Sequence, residues 1–331
     1  MMKKQFVRDL RPGKRALGFF LVRYKRLEPF RDRTRGEFLT LILADRTGEI
    51  LARVWEEAPT VAKTFEQGQV VKVLGEVEEY LGRWQVIVKK IRPAEPDEYD
   101  LADYLPATER DVDEMLAIVR ATMEEIENPY LRALVAYFFE DEEFVARFSR
   151  APAARRIHHA YLGGLLEHTV EVVTLCRALL EVYPQIHHDL LLTGALLHDV
   201  GKVAEFEYET DITYSDEGRL LGHVVMSDRL VSDGIATIPE FPAELALRLR
   251  HMILSHHGRY EWGSPRRPKT LEAVALHYIE NLDAQVNRFY RILSTRREPE
   301  KPWTEYDTLL RRYLYAGREE ELSVEEEGPS E

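Results

Sequence analysis

The stretch LLLTGALLHDVGKV, residues 190–203, decides how the second part of this chain folds and where its chemistry sits. An apolar run of helical length ends in adjacent His198 and Asp199, followed by Gly201 and Lys202. Burying an aspartate at the end of such a helix is costly unless a cation or a donor meets it. Neutral imidazole and carboxylate are both good ligands for a divalent transition ion. Gly201 is expected to let the chain turn away sharply. A capping aspartate beside a core histidine is the bland alternative, weakened by matching partners elsewhere in the chain.

Those partners lie on helical patterns. His168 falls with Leu165, Val172, Leu175 and Leu179 at three- and four-residue steps, so it is expected to point inward. Alone it would more often be a hydrogen-bonded core histidine. In LEAVALHYIENLDAQVNRFYRIL, residues 271–293, Asp283 shares a stripe with Leu276, Ile279, Val286 and Tyr290 that reads as core-facing. A carboxylate on such a face calls for a cation.

The set His168, His198, Asp199 and Asp283 resembles the HD-domain superfamily, whose pattern is a His, a His-Asp pair and a distant Asp, all on helices. The resemblance implies an all-α, metal-dependent phosphohydrolase fold over roughly residues 155–295. Many members carry further histidines for a second metal, and this chain offers His223 and the pair His256-His257. One or two ions are then expected, with Asp199 bridging in the two-ion case and His256 favoured over His257. In a one-ion site these histidines would serve as acid or phosphate contacts. Asp199, Lys202 and His223 are the expected catalytic residues. Arg259, Arg266, Arg267 and Lys269 form a basic loop that faces phosphate or is merely solvated. His159 flanks the motif helix and could touch substrate, but reads rather as a packing or surface residue, and His277 falls off the ligand stripe.

Residues 14–92 read as β structure, with strand-like runs separated by Asp45-Arg46-Thr47-Gly48 and Leu81-Gly82-Arg83. Three strands, a short helical stretch over 58–68 and two more strands is the order of an OB-fold barrel. The fold class is therefore multidomain: an N-terminal all-β OB-fold barrel over 1–93, a proline-containing acidic linker over 94–110, an all-α HD domain over 111–317 and an acidic, disordered tail over 318–331. Helical periodicity is expected to run to about Leu314. Net charge divides the same way: residues 1–93 carry 20 Lys+Arg against 12 Asp+Glu, whereas the whole chain stands at -13. A basic front module on an acidic chain suits a polyanionic partner. Tyr24, Tyr80 and Trp84, interleaved with Arg23 and other arginines, are the expected base-stacking residues.

No apolar run approaches the roughly 18 residues of a membrane span. The lone Cys176 sits among apolar neighbours, and the default residence is the cytoplasm. Barrel, linker and HD pattern in this order, with the strings HHAYLGGLLEHT, LTGALLHDVGK, ILSHHG and SPRRPKTLEAVALHYIENLDA, resemble the YhaM-type 3′→5′ exoribonucleases of bacteria. That resemblance implies manganese-dependent removal of nucleotides from the 3′ end of single-stranded RNA, with single-stranded DNA a further substrate and nucleoside 5′-monophosphates the products. A homo-oligomer is compatible with it. An HD hydrolase of free nucleotides or cyclic dinucleotides is the alternative; a non-catalytic strand binder would have no need of four buried metal-type ligands.

Overall fold

Alternation of apolar and polar residues builds the first unit. Strands β1 (Arg15–Pro29), β2 (Glu37–Asp45) and β3 (Gly48–Val54), a one-turn helix α1 (Ala58–Val61), then β4 (Val70–Tyr80) and β5 (Arg83–Pro93) follow in that order. They close into a barrel in the order β1-β2-β3-β5-β4. A bulge between Val22 and Tyr24 bends β1, so its first half pairs with β4 and its second half with β2. Parallel pairing of Leu51–Arg53 with Gln85–Ile87 seals the last seam. Inward residues such as Phe20, Leu41, Leu43, Val71, Val73 and Val86 fill the interior.

The computed structural model describes residues 5–30, 32–80, 83–100, 103–155, 159–208, 212–294, 301–307 and 310–317. The acidic tail expected over 318–331 and the Leu81-Gly82 turn lie outside them.

Residues read as a linker are tied down at both ends. Tyr104 packs with Leu21 and Val70 of the barrel. Asp103 O accepts from Arg46 N, 2.9 Å away. Thr108 N donates to Leu162 O, and Leu162 N to Pro106 O, each over 2.8 Å. Apolar Tyr99, Tyr104 and Leu105, hidden among acids and prolines in the sequence, drive this packing.

Helices α2 (Val112–Glu125), α3 (Pro129–Phe139) and α4 (Glu142–Phe148) begin at Asp111, Asn128 and Asp141, whose side chains each accept two backbone N–H bonds of the first turn. Helix α6 (His188–Leu197) is buried along nearly its whole length and forms the axis of the domain. Around it stand α3, α5 (Gly164–Val182), α10 (Ala243–Ser255) and α11 (Leu271–Ser294), with α9 (His223–Ala236) packed outside on α10 and α3. Short helices α7 (Lys202–Glu205) and α8 (Asp216–Leu221) connect α6 to α9. No helix among the described residues is long and apolar enough to cross a membrane.

The second unit is helical as expected, with one two-residue hairpin in which Phe206–Glu207 and Thr213–Tyr214 pair as strands β6 and β7. Two readings change. Among the described residues the last helix ends at Ser294 and none lies near Leu314; the described part of 301–317 holds isolated antiparallel bridges instead, beginning just after Pro302. On α11, Leu276, Ile279 and Asp283 face inward, but Val286 and Tyr290 point to solvent. The buried line continues through Ala284 and Arg288 instead, because the four-residue steps from Leu282 to Tyr290 follow a ridge that drifts around the helix.

Candidate metal centre

His198 and Asp199 sit where α6 ends, and both are buried. Gly201 is needed for space, not for its backbone angles: it is right-handed helical (φ -65), and a Cβ there would lie 2.6 Å from His223 O and Ser227 N. Its N–H donates to Ser227 Oγ over 2.8 Å. The glycine thus lets the first turn of α9 press against the doublet.

Five imidazoles surround Asp199, each anchored through Nδ1. His168 Nδ1–H donates to Asp283 Oδ2 over 2.6 Å, His198 to Ala195 O over 2.9 Å and His256 to Ile253 O over 2.7 Å. His257 donates to Trp262 O over 2.9 Å, and His223 to Glu205 Oε1 over 2.8 Å. A neutral ring that donates from Nδ1 offers its lone pair at Nε2. Those Nε2 atoms converge. His168 and His198 lie 3.7 and 3.4 Å from Asp199 Oδ2, while His223 and His256 lie 3.5 and 3.6 Å from Oδ1. His257 Nε2 stands 3.2 Å from His223 Nε2.

Acceptors aimed at one another repel unless a cation lies between them. Asp199 Oδ1 and His256 Nε2 are buried and lack a hydrogen-bond partner among the described residues. Burial would push the Asp199 carboxyl up, but the Lys202 ammonium, 2.6 Å from Oδ2, and His198 hold it well below the usual carboxylate range. Burial and neighbouring rings keep His168 and His256 well below the ordinary imidazole value, and His257 falls to about 3. Burial would lower His198 too, but Asp199 raises it on balance. Nitrogen and carboxylate donors in this arrangement fit a divalent transition ion. Two groups that could each hold one ion are His168-His198-Asp199 and His223-His256-His257.

Asp283 stands one imidazole away from the doublet, joined to it through His168 and grouped with His168 and His159. His159 was read as a packing or surface residue. It is fully buried, with Nε2 3.0 Å from Glu171 Oε2 and from Asn287 Nδ2, and it extends the line of rings beyond His168. Its left-handed backbone (φ 46) gives no sequence signal. His277 also proves buried; its Nδ1 donates to His256 O and so steadies that ligand's backbone. Glu280, one turn before Asp283, was missed because a lone glutamate on a helix usually faces water; burial and Asp199 push it up to about 7.

Lys202 is buried against Asp199 and not extended toward solvent. The loop 259–269 is exposed at Arg259, Arg266, Arg267 and Lys269. Arg259 lies over Trp262 and Arg267 over Tyr260, 4.7 and 5.0 Å from the ring centres, and both arginines line a cleft of about 490 Å³. On the barrel, Tyr24, Tyr80 and Trp84 are exposed, the last two near the tip of the β4–β5 hairpin. Arg23 is partly covered and 3.7 Å from Glu49. A second aromatic group joins Phe30, Phe38 and Trp55, with centres 5.0–5.7 Å apart and Arg35 and Arg53 over Phe30 and Phe38. Three separate elements supply it, so no local pattern announced it.

Comparison with known proteins agrees with this architecture. A family model described as an OB-fold nucleic acid binding domain matches residues 21–94, and one described as an HD domain matches residues 165–285. The 3'-5' exoribonuclease YhaM of Bacillus velezensis is 38% identical over 77% of this chain and 81% of its own length. That of Shouchella clausii is 38% identical over 77% and 80%, and that of Bacillus subtilis 37% over 77% and 81%. With a closed barrel leading into an HD domain and relatives this similar over most of both chains, the protein belongs to the YhaM 3'-5' exoribonuclease family.

Proposed function

We propose that the chain is a metal-dependent 3′→5′ exonuclease that shortens single-stranded RNA, and single-stranded DNA as a second substrate, to nucleoside 5′-monophosphates in the cytoplasm. The convergence of imidazole Nε2 atoms on both oxygens of Asp199 carries this reading. His168, His198, His223, His256, His257 and Asp199 would hold one or two ions, manganese being the expected metal, with Asp283 acting through His168. Such an ion, when bound, activates water and neutralises phosphate charge.

The chain's own residues do the rest. Anchored Nδ1 atoms fix the tautomers and keep the Nε2 atoms aimed inward. Lys202 stays charged, because Asp199 outweighs the burial that would lower it. It supplies a fixed positive charge beside the phosphate site. Arg259 and Arg267, braced on aromatic rings, present guanidinium groups to the strand backbone. The barrel holds the strand farther from its end by base stacking on Tyr24, Tyr80 and Trp84, and on the Phe30-Phe38-Trp55 group.

The test uses the purified chain, stripped by chelator and supplied with single divalent ions, on a 5′-labelled single strand. A ladder shortening stepwise, strongest with manganese, is expected. Activity on free nucleotides alone, or internal cuts, would replace the exonuclease reading.

A further inference from the structure

Helix α11 has two faces, and the centre described above uses only one. Its eight exposed positions are 271, 274, 278, 282, 285, 286, 290 and 294. None bears a charge, although 31% of the chain is charged. Six are apolar or aromatic: Leu271, Val274, Tyr278, Leu282, Val286 and Tyr290, each between 42 and 70% exposed. Contiguous apolar surface of this kind marks an interaction site.

The occupant can be chosen from composition and symmetry. A nucleic-acid strand needs cations; no exposed position of the stripe is one, and Arg259 and Arg267 adjoin only its Val274–Tyr278 end, leaving Leu282, Val286 and Tyr290 outside that cleft. Residues 318–331 carry only Leu322 and Val324 as apolar side chains among seven glutamates, too few to cover six residues. The stripe is, however, self-complementary. From Val274 to Tyr290 it advances in steps of four about Leu282. Antiparallel pairing across a two-fold axis at Leu282 sets Tyr278 of one copy against Val286 of the other, large against small, with Val274 and Tyr290 at the margins. Ridges of four-residue spacing interdigitate with their own kind at about −50°. Two tyrosines and four aliphatic residues exposed to this degree contribute on the order of 600 Å² per chain, most of the roughly 800 Å² a partner gives to a stable interface.

We infer that the outer face of α11 is a two-fold interface with a second copy of this chain. It stands back to back with Asp283 and Glu280, so each copy would brace the helix that carries the other side's inner residues. The interface is isologous, and closure at two copies follows from that.

Sedimentation equilibrium of the full chain, at tens of micromolar, tests this without reference to cleavage. The wild type is expected at twice the 38.6 kDa chain mass. Leu282→Glu, which brings two carboxylates together on the axis, is expected at the single mass with unchanged circular dichroism. Leu282→Cys is expected to cross-link to itself under mild oxidation, since the native Cys176 is buried. Leu220→Cys, at an exposed site elsewhere, serves as the negative control. A wild type of single mass overturns the inference. So does a dimer that Leu282→Glu leaves intact and Leu282→Cys fails to cross-link. A monomer whose RNA affinity drops on Tyr278→Ala assigns the stripe to the strand instead, since Val274 and Tyr278 also line the cleft with Arg259 and Arg267.

Discussion

Asp199 Oδ1 lies 3.6 Å from His256 Nε2, and both atoms are buried without a hydrogen bond among the described residues. Such a pair is too far apart to bond and too close to ignore. It is the spacing left when two acceptors share a cation. Asp199→Ala should therefore lower cleavage by at least roughly 10³-fold. Strand affinity, measured by fluorescence anisotropy, should change little, because the barrel is intact. Equal loss of both would refute the division of labour between the two units.

Glu205 holds His223 by accepting from both its backbone N and its Nδ1, at 3.0 and 2.8 Å. Such outer carboxylates fix the tautomer of a ligand histidine. Glu205→Gln is expected to weaken metal binding about 10–100-fold by calorimetric titration. An unchanged affinity would show that His223 is oriented by packing alone.

Tyr80 and Trp84 flank the tip of the β4–β5 hairpin and are 64 and 44% exposed. Stacking of a base on an aromatic ring contributes ~1–3 kcal/mol. Each alanine variant should bind a single strand about ten-fold more weakly, with kcat at saturation preserved. A fall in kcat instead would place these rings in the chemistry rather than in capture.

Gly164 opens α5 beneath the loop that carries His159; a Cβ there would meet His159 O at 2.1 Å. Because that obstacle is backbone, Gly164→Ala should cost roughly 1–3 kcal/mol in denaturant unfolding. It should also displace His159 from Asn287. A neutral substitution would mean that the loop yields freely.

His188 gives a pH-dependent term outside the centre. Burial would lower its imidazole, but hydrogen bonds to Asp189 and Glu125 raise it on balance. A raised folded value stabilises fully below the unfolded value near 6.5, and the gain fades as pH climbs through the folded value. The side chain is 44% exposed, so screening keeps the effect small. Melting of wild type should decline by about 1–3 °C more than that of His188→Gln between pH 6 and pH 8. Parallel curves would exclude the ion pair as a contributor.

Much of this molecule is written locally. Strand alternation over 15–93 specifies a barrel because period two puts every second side chain inside. The greasy run before His198 specifies a central helix because, from Leu190 to Leu197, only Thr193 is polar. Asp199, His168 and His198 could be singled out for the same reason: polar groups on faces otherwise committed to the core need partners.

What the sequence by itself determined, then, was the two units, their order and the polar residues forced inward. Only the tertiary structure decided which atoms meet. Anchoring each imidazole through Nδ1 needs carbonyls and carboxylates from distant turns, such as Trp262 O and Glu205, and no spacing rule encodes those contacts. The same holds for His159, recruited by Asn287 from 128 residues away, and for Val286 and Tyr290. Their apolar character was plain, but burial is decided by which neighbours arrive, and on the outer face of α11 none of the described chain does.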